Sequence, residues 1–459
     1  MSAVESVDAL APNAPMPPLP PLFREFLRDN HIDASVYDTS RKLPRYVRIT
    51  QYREKSKQFI DELVQQIQAD AGCRARKVDS VPGFIEIENQ AVRLSLVSAY
   101  NNGDIVGMDV SSGIAALALS VEPGDNVLDL CCAPGAKLLL LADLLDNSHE
   151  DKPSETEPAP RGTVTGVDIS LHRAATCRSL IRKHAGNGKG FIRVFVDDGT
   201  TFDCKAPQHG WHDPLIVKAA SASMAGCDGK AKRQKNAMPG NQPWFAPRLL
   251  STAFACGGTQ LYDRVLVDAE CTHDGSLVHI QKYAQWGWEQ LDMQVVDANK
   301  QVTIPILQSK LLENGWRLLN PGGVLVYSTC SLSRYQNEFV LGGFLARHSE
   351  DEAVLEPVPS FSSRSTPPES QDGIVISPIW TPVDDDEWDR AGLSHSRVVF
   401  SRMHHAVRLD PLVSNTSGMF IARIMKLRHG PQPEESEIVP LALPPLRQPV
   451  HSTANIENV

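Results

Sequence analysis

The sequence predicts an α/β fold, in which a doubly wound parallel sheet carries helices on both faces and follows a small α+β unit. Three observations predict it. Short apolar runs alternate with helical patterns over residues 127–345. Several of these runs end in aspartate, at the edge where such sheets bind ligands. The first run, Val127–Leu130, leads through the turn Cys-Cys-Ala-Pro-Gly-Ala into a helix that starts at Lys137.

The small α+β unit is predicted for residues 22–98, in the N-terminal part of the chain. Residues 1–21 are acidic and rich in proline, so we expect them to be disordered. Apolar residues at helical spacing, among them Phe59, Leu63 and Ile67, predict its main helix. The predicted elements are a helix through Phe23 and Phe26, strands Tyr46–Ile49, Phe84–Ile87 and Val92–Val97, and a helix Tyr52–Ala69.

The large sheet and its helices are predicted within residues 99–427. The predicted strands are Val127–Leu130, Thr163–Asp168, Ile192–Val196, Tyr262–Val267, Val324–Tyr327, Val398–Phe400 and Met419–Ile424. The predicted helices are one within 103–119, one from Lys137, Leu171–His184, Val302–Leu319, which Pro321-Gly-Gly ends, and Asn337–Leu345. Residues 204–259 and 350–395 are rich in small and polar residues and are predicted as loop insertions, and 428–459 as a flexible tail.

Composition narrows the class of protein. The chain has 459 residues, 42% of them hydrophobic, and no apolar run of the length of a membrane span, so we expect a globular protein with no membrane contact. The N-terminus predicts neither a secretory signal nor a mitochondrial leader. Nine cysteines without a C-x-x-C pair argue for a reducing compartment inside the cell and against disulfides or a structural zinc site, so no metal is expected.

The net charge of −10 argues mildly against a nucleic-acid partner, but the basic residues are clustered. The clusters lie at 41–48, 173–183 and 230–235. A local basic surface attracts phosphates whatever the total charge, although each cluster by itself also fits an ordinary solvated surface. The run at 230–235 is a weak pattern for nuclear import.

Four aspartates lie at or near the ends of predicted strands: Asp129, Asp168, Asp198 and Asp268. Because the carboxyl ends of parallel strands share one crevice, these carboxylates are candidates for ligand contacts there. A carboxylate at Asp168 suits a ribose diol. The turn lacks the full G-x-G-x-x-G pattern, so it is a weak case for a dinucleotide, and helix capping is the alternative role for each single aspartate.

Two cysteines also end strands, Cys271 and Cys330. If the two strands are neighbours, both thiols face the crevice, where a nearby positive charge such as Lys137 would activate a thiolate nucleophile. A lone buried cysteine is more often a packing residue, but two at the same edge favour chemistry.

These motifs resemble those of the NOP/Sun (RsmB/NSUN-type) RNA (cytosine-5)-methyltransferases. The resemblance covers about 40–345 and 405–425. It rests on DLCCAPGAK at 129–137, GMDVSS at 107–112, VDIS at 167–170, VDAEC at 267–271 and PGGVLVYSTCSL at 321–332 with Gln336-Asn-Glu338. It implies a Rossmann-like S-adenosylmethionine-dependent methyltransferase domain over 99–427, after an RNA-binding-like domain over 22–98.

The resemblance also implies the roles of individual residues. Cys330 would attack carbon 6 of a flipped-out cytosine, Cys271 would help release the product, and Asp268 would bind the base, with Lys137 as a further catalytic residue. S-adenosyl-L-methionine would be the cofactor. Its predicted contacts are Cys131, Cys132, Ala133, Pro134, Gly135, Ala136, Lys137, Asp168, Asp198 and Asp268. Single-stranded or loop RNA is the expected partner, transfer or ribosomal RNA first.

The sequence departs from the family pattern at three positions. Glu270 stands where the family has proline, Ala136 where it has glycine, and Met108 where it has glutamine. We expect Glu270 to raise the pKa of the Cys271 thiol, which favours Cys330 as the nucleophile.

Two other functions stay open. One is a catalytically silent RNA-binding scaffold of the same fold. The other is a methyltransferase for DNA or a small molecule, against which the missing Pro-Cys pair and the N-terminal unit argue. We expect a monomer, in the nucleus, nucleolus or cytoplasm.

Overall fold

The structure is a computed structural model that describes residues 18–37, 43–145, 162–184, 191–207, 243–246, 260–286, 288–359, 377–378 and 402–428. Several predictions therefore lie outside the described residues: those for residues 1–17, most of 204–259, most of 360–395, the strand at 398–400, the basic run at 230–235 and the tail from 429. Within the described ranges, every helix is too short or too polar to span a lipid bilayer.

Helices and strands have the following bounds. The helices are α1 Pro21–Asp29, α2 Lys57–Ala71, α3 Ser98–Asn102, α4 Val110–Leu117, α5 Ala136–Leu145, α6 Leu171–His184, α7 Leu277–Trp286, α8 Trp288–Leu291, α9 Ala298–Leu318 and α10 Glu338–Arg347. The strands are β1 Arg45–Ile49, β2 Ala75–Lys77, β3 Phe84–Ile87, β4 Ile105–Gly107, β5 Asn126–Asp129, β6 Thr163–Asp168, β7 Ile192–Val196, β8 Tyr262–Asp268, β9 Leu319–Thr329, β10 Ala353–Glu356, β11 Ser377–Pro378, β12 Val407–Leu409 and β13 Met419–Lys426.

The smaller sheet is antiparallel, in the order β2-β3-β1-β4. The long N-terminal helix α2 packs on it through Ile60, Leu63 and Ile67. This helix begins five residues later than predicted, because the Ser56 hydroxyl caps it by accepting the Phe59 N–H at 3.1 Å. The strand β4 lies beyond residue 98 but pairs with β1, and the predicted division of the chain into domains stays a prediction.

The predicted strand Val92–Val97 is wrong. Leu94–Leu96 form a 3-10 helix instead. Leu94 and Val97 are buried and Leu96 is exposed, so the buried positions are three apart, which suits a 3-10 turn and not the two-residue period of a strand.

The larger sheet has the order β11-β12-β13-β9-β8-β5-β6-β7, with β10 paired to β13. The strands β5 to β9 pair in parallel, as predicted, with helices on both faces. The prediction of a wholly parallel sheet is wrong at one side, because β13 pairs antiparallel with β9, and β10 and β12 pair antiparallel with β13. The strand β10 also falls within 350–395, which was predicted to be loop.

Pro321-Gly-Gly does not cap α9, in contrast to the prediction. The strand β9 starts at Leu319, directly after the helix, and includes these residues. The Lys426 ammonium of β13 donates to the carbonyl oxygens of Trp316 and Leu319, at 2.9 and 3.0 Å. The carbonyl groups at the end of α9 are therefore hydrogen-bonded by a cation from another strand, whereas a glycine turn was expected to cap the helix.

The segment from α7 to the π-helical turn at 292–296 was not predicted, and α1 packs against it. Phe23, Phe26 and Leu27 share a core with Leu277 and Leu291 of this segment. Polar contacts extend this packing to the loops that follow β8 and β9. The Tyr37 hydroxyl donates to the Asp274 carbonyl at 3.2 Å, and Ser333 donates to Asn30 at 2.5 Å.

Candidate active site

A turn of small residues joins β5 to α5, and hydrogen bonds from neighbouring elements hold it in place. The Cys132 N–H donates to the Val167 carbonyl of β6 at 2.9 Å. Gly135 has a φ of +107°, and a Cβ there would lie 2.8 Å from the Cys177 sulfur of α6. Only glycine fits this position, so the turn is built for a backbone that lies close to its neighbours.

Asp168 at the end of β6 fixes the same turn. Its carboxylate accepts the N–H groups of Ala133 at 3.3 Å and Ser170 at 2.9 Å. Arg173 lies 3.7 Å from this carboxylate and also donates to the Ala133 carbonyl at 2.9 Å. Asp168 is only 3% exposed, so the structure assigns it a role in shaping the turn, and its predicted contact with a ribose stays a prediction.

Asp198 lies after β7 and caps the next loop. Its carboxylate accepts the N–H and the hydroxyl of Thr200, at 2.9 and 2.8 Å. The following Gly199 approaches the turn, because a Cβ there would lie 2.8 Å from the Leu130 carbonyl oxygen. The structure thus brings Asp198 to the predicted edge, while its contact with a cofactor stays a prediction.

Asp129 is a buried carboxyl at the end of β5. The Cys131 N–H donates to it at 3.2 Å. Burial raises the pKa of Asp129 to about 7, and the negative charge of Asp268 contributes in the same direction. This carboxyl is therefore partly protonated at neutral pH.

Lys137 and Asp268 form an ion pair across the crevice. The Lys137 ammonium lies 2.7 Å from one carboxylate oxygen of Asp268, and the Ser328 hydroxyl donates to the other at 2.7 Å. The two side chains of the pair are 15% and 24% exposed. Burial alone would lower the pKa of Lys137, but the adjacent Asp268 carboxylate outweighs it and the pKa is raised. Lys137 is therefore positively charged in the crevice.

The two cysteines predicted to meet do so. The strands β8 and β9 are neighbours, and the sulfur atoms of Cys271 and Cys330 lie 3.4 Å apart. His273, which the sequence analysis missed, lies against both, with its Nδ1 3.0 Å from the Cys330 sulfur and 3.6 Å from the Cys271 sulfur. The only sequence signal for it was its position two residues after Cys271.

The expectation that Glu270 raises the pKa of Cys271 is wrong. The pKa of Cys271 is lowered, first by the hydrogen bond from the Cys330 thiol and then, against the effect of burial, by the charge of His273. The Glu270 side chain is exposed to solvent, and its backbone carbonyl accepts a hydrogen bond from Gln308 at 2.8 Å. Because it donates to Cys271, the Cys330 thiol has a raised pKa, so the sulfur pair shares one thiolate and one proton.

Asp274 ties the two cysteine loops together and was also missed. It is fully buried, and its carboxylate accepts the Ser331 hydroxyl at 2.6 Å and the Leu332 N–H at 2.7 Å. The backbone adds a bond from the Gly275 N–H to the Cys330 carbonyl at 2.9 Å. These contacts fix the sulfur atoms relative to each other.

The basic residues of α6 pack on aromatic rings. Arg178 lies over Trp244 at 4.6 Å, and Lys183 lies over Tyr100 at 3.6 Å. Arg173 contacts Asp168, as described above. This surface combines cations with aromatic faces, and its predicted contact with RNA stays a prediction.

Comparison with known proteins gives the following relatives. Residues 250–425 match the family model described as 16S rRNA methyltransferase RsmB/F. The chain is 24% identical over 337 residues to ribosomal RNA small subunit methyltransferase B of Yersinia enterocolitica, covering 73% of this chain and 58% of that protein. It is 27% identical over 239 residues to 5-cytosine rRNA methyltransferase NSUN4 of Bos taurus, covering 51% and 43%. The chain thus spans about half the length of these curated relatives.

Solved structures share the fold. NSun6 from Pyrococcus horikoshii with SFG superposes with a TM-score of 0.54 at 14% identity, covering 90% of this chain and 99% of that one. A methyltransferase homolog protein from Pyrococcus horikoshii has a TM-score of 0.51 at 21% identity, covering 89% and 100%. The predicted Rossmann-like methyltransferase fold is therefore confirmed. Residues 250–425, which match the RsmB/F methyltransferase family model, contain both cysteines.

Proposed function

We propose that this protein is an S-adenosylmethionine-dependent RNA methyltransferase that forms 5-methylcytidine through a covalent bond between Cys330 and cytosine. The observation that carries the proposal is the pair of sulfur atoms 3.4 Å apart, at the edge that also holds the Lys137–Asp268 ion pair. The relatives named as cytosine methyltransferases support it.

The residues around the β5–α5 turn fit S-adenosylmethionine. Gly135, with its φ of +107°, gives the turn a tight backbone of small residues that lies directly against α6. Beside Asp168, the side chain of Ile169 is 68% exposed and that of Leu171 57%, which offers an apolar surface for an adenine ring next to a carboxylate. When bound, the cofactor supplies an electrophilic methyl group on a sulfonium. Residues 131–137 with Asp168 and Asp198 would hold it.

Covalent addition is needed because carbon 5 of cytosine is a poor nucleophile. The Cys330 sulfur forms a bond to carbon 6, and the ring electrons become available at carbon 5, which takes the methyl group. The carbon 5 proton then passes to solvent, the bond from sulfur to carbon 6 breaks, and the ring double bond returns. Cys271, held in hydrogen-bond distance of Cys330, is placed to assist this release.

In the proposed reaction, Asp268 would bind the base and Lys137 would supply positive charge. A carboxylate accepts a hydrogen bond from the exocyclic amine of cytosine, which distinguishes cytosine from uracil. Lys137 pairs with Asp268, and its positive charge also acts on Cys330, where it favours a thiolate. The target base must leave its stack, so a single-stranded or loop RNA, transfer or ribosomal, is the proposed substrate. Such a substrate implies an intracellular site of action.

The test is transfer of a labelled methyl group from S-adenosylmethionine to total RNA, followed by nucleoside analysis. We expect label in 5-methylcytidine with wild type and none with Cys330→Ala. Cys73→Ala is the matched control, because this cysteine lies by α2 in the smaller core. Cofactor binding without any label would favour the silent scaffold, and label in DNA or a small molecule would overturn the RNA assignment.

A further inference from the structure

His273 is the one imidazole that lies against both sulfur atoms within the described part of the chain. It follows β8 in the loop of Cys271, with a φ of +56° in the left-handed region. This backbone turn brings Nδ1 to 3.0 Å from Cys330 and 3.6 Å from Cys271. A left-handed non-glycine residue is uncommon and is typical of positions where a side chain is aimed at a functional site.

Its surroundings favour a proton on the ring. The charges of Asp268 and Asp274 favour the imidazolium form of His273. The ring of His279 stacks on the His273 ring, with 5.6 Å between the ring centroids. With the thiolate of Cys271 as the main cause, the pKa of His273 is raised to about 9.

Two lysines, Lys137 and Lys282, change the pKa values of groups around His273. Lys137 favours the ionised form of Cys330. Burial lowers the pKa of His279, and the charges of His273 and Lys282 lower it further. His279 therefore stays neutral beside His273. Among the residues that the structure describes, His273 is therefore the proton acceptor that contacts the sulfur pair and can become positively charged there.

We propose that His273 is the base that ionises the Cys271–Cys330 pair before Cys330 attacks. Its Nδ1 takes one thiol proton, so an S–H bond breaks, an N–H bond forms, and the electron pair stays on sulfur. The products are one imidazolium and one thiolate, which the two sulfurs exchange through the hydrogen bond between them. This role deepens the proposed function and rests on it, while the ionisation itself can be measured without RNA.

The test is the pH dependence of alkylation of Cys271 and Cys330 by iodoacetamide, measured by peptide mass spectrometry on the full chain. Wild type should react with a midpoint below pH 7.5, under the usual value of about 8.5 for a free thiol. His273→Asn removes the base and keeps a residue that tolerates the left-handed backbone. We expect its midpoint to rise by at least one unit, a tenfold lower rate at pH 7.

Two further variants make the result specific. His279→Gln changes the neighbouring ring, which touches neither sulfur, and should leave the midpoint within a few tenths of a unit. Cys271→Ser leaves a single sulfur, and adding His273→Asn to it should again raise the midpoint of Cys330. Circular dichroism and the melting temperature verify that each variant is folded.

An unchanged alkylation midpoint in folded His273→Asn would overturn the proposal, as would an equal shift in His279→Gln. Methyl transfer gives a second readout, since the His273→Asn rate should be at least tenfold low at pH 7 and recover as the pH rises toward 9. If wild type transfers no methyl group but the alkylation midpoints shift as expected, the inference about His273 stands and the proposed function fails.

Discussion

A buried ion pair joins the smaller sheet to the helix that follows the β5–α5 turn, and removing one partner should be costly. The Arg48 guanidinium of β1 contacts the Asp143 carboxylate of α5, and the side chains are 2% and 5% exposed. Asp143 also accepts the Gln51 N–H at 3.3 Å. Among the described residues, Nε and Nη2 of Arg48 have no hydrogen-bond partner, so this carboxylate is the main compensation for its charge.

The expected loss follows from that burial. Burial lowers the pKa of Arg48 to about 9, which indicates how poorly the charged form is solvated there. Asp143→Ala leaves this guanidinium buried without its counter-charge, which costs about 3–5 kcal/mol in the free energy of unfolding. The apolar double variant Arg48→Met/Asp143→Leu removes both charges and should be within about 1–2 kcal/mol of wild type.

The assay is urea-induced unfolding with circular dichroism, which gives the midpoint and its slope. Lys77 and Asp61 form an exposed pair, with side chains 43% and 45% exposed, and serve as the control. Lys77→Ala should cost only about 0–1 kcal/mol because solvent screens that pair. A loss below about 1 kcal/mol for Asp143→Ala, or a double variant as unstable as the single one, would refute the reasoning.

Two further predictions concern the β5–α5 turn. Gly135→Ala should destabilise the protein by about 2–5 kcal/mol, because a Cβ meets the Cys177 sulfur at 2.8 Å and the backbone has a φ of +107°. Gly72→Ala, at a φ of +63° in open space, should cost only about 1–2 kcal/mol, and equal losses would contradict the steric account. The native pKa of Asp129 is about 7, so the folded state binds more protons than the unfolded state from about pH 4 to 7, and stability falls as pH rises. Asp129→Asn should lack this fall, which is on the order of 4 kcal/mol, and a constant stability difference between the two proteins across that window would exclude it.

The sequence predicts well those parts in which local pattern and tertiary role agree. Each parallel strand of the large sheet is buried on both faces and reads as an apolar run, so β5 to β9 were found, and the acids and cysteines at their ends followed. The crevice that holds Asp129, Lys137, Asp268, Cys271 and Cys330 could therefore be assembled from the sequence.

Other features depend on contacts between side chains that a local sequence pattern does not show. The helices at 277–296 are buried by α1, which lies more than 240 residues earlier in the chain. The carbonyl groups at the end of α9 accept hydrogen bonds from a lysine of β13. His273 lies against the sulfurs with a left-handed backbone, a conformation that the sequence does not predict for histidine. The effect expected of Glu270 failed because its side chain faces solvent, while the partners of Cys271 are Cys330 after the neighbouring strand and His273 in the same loop.

The central step of the proposed reaction is a covalent bond between Cys330 and RNA. The measurement is denaturing gel electrophoresis of Cys271→Ala after incubation with S-adenosylmethionine and labelled RNA, followed by mapping of the linked peptide. We predict an adduct that survives denaturation, maps to Cys330, and disappears in Cys271→Ala/Cys330→Ala. An adduct that persists without Cys330, or methylated cytosine formed by Cys330→Ala alone, would contradict the account.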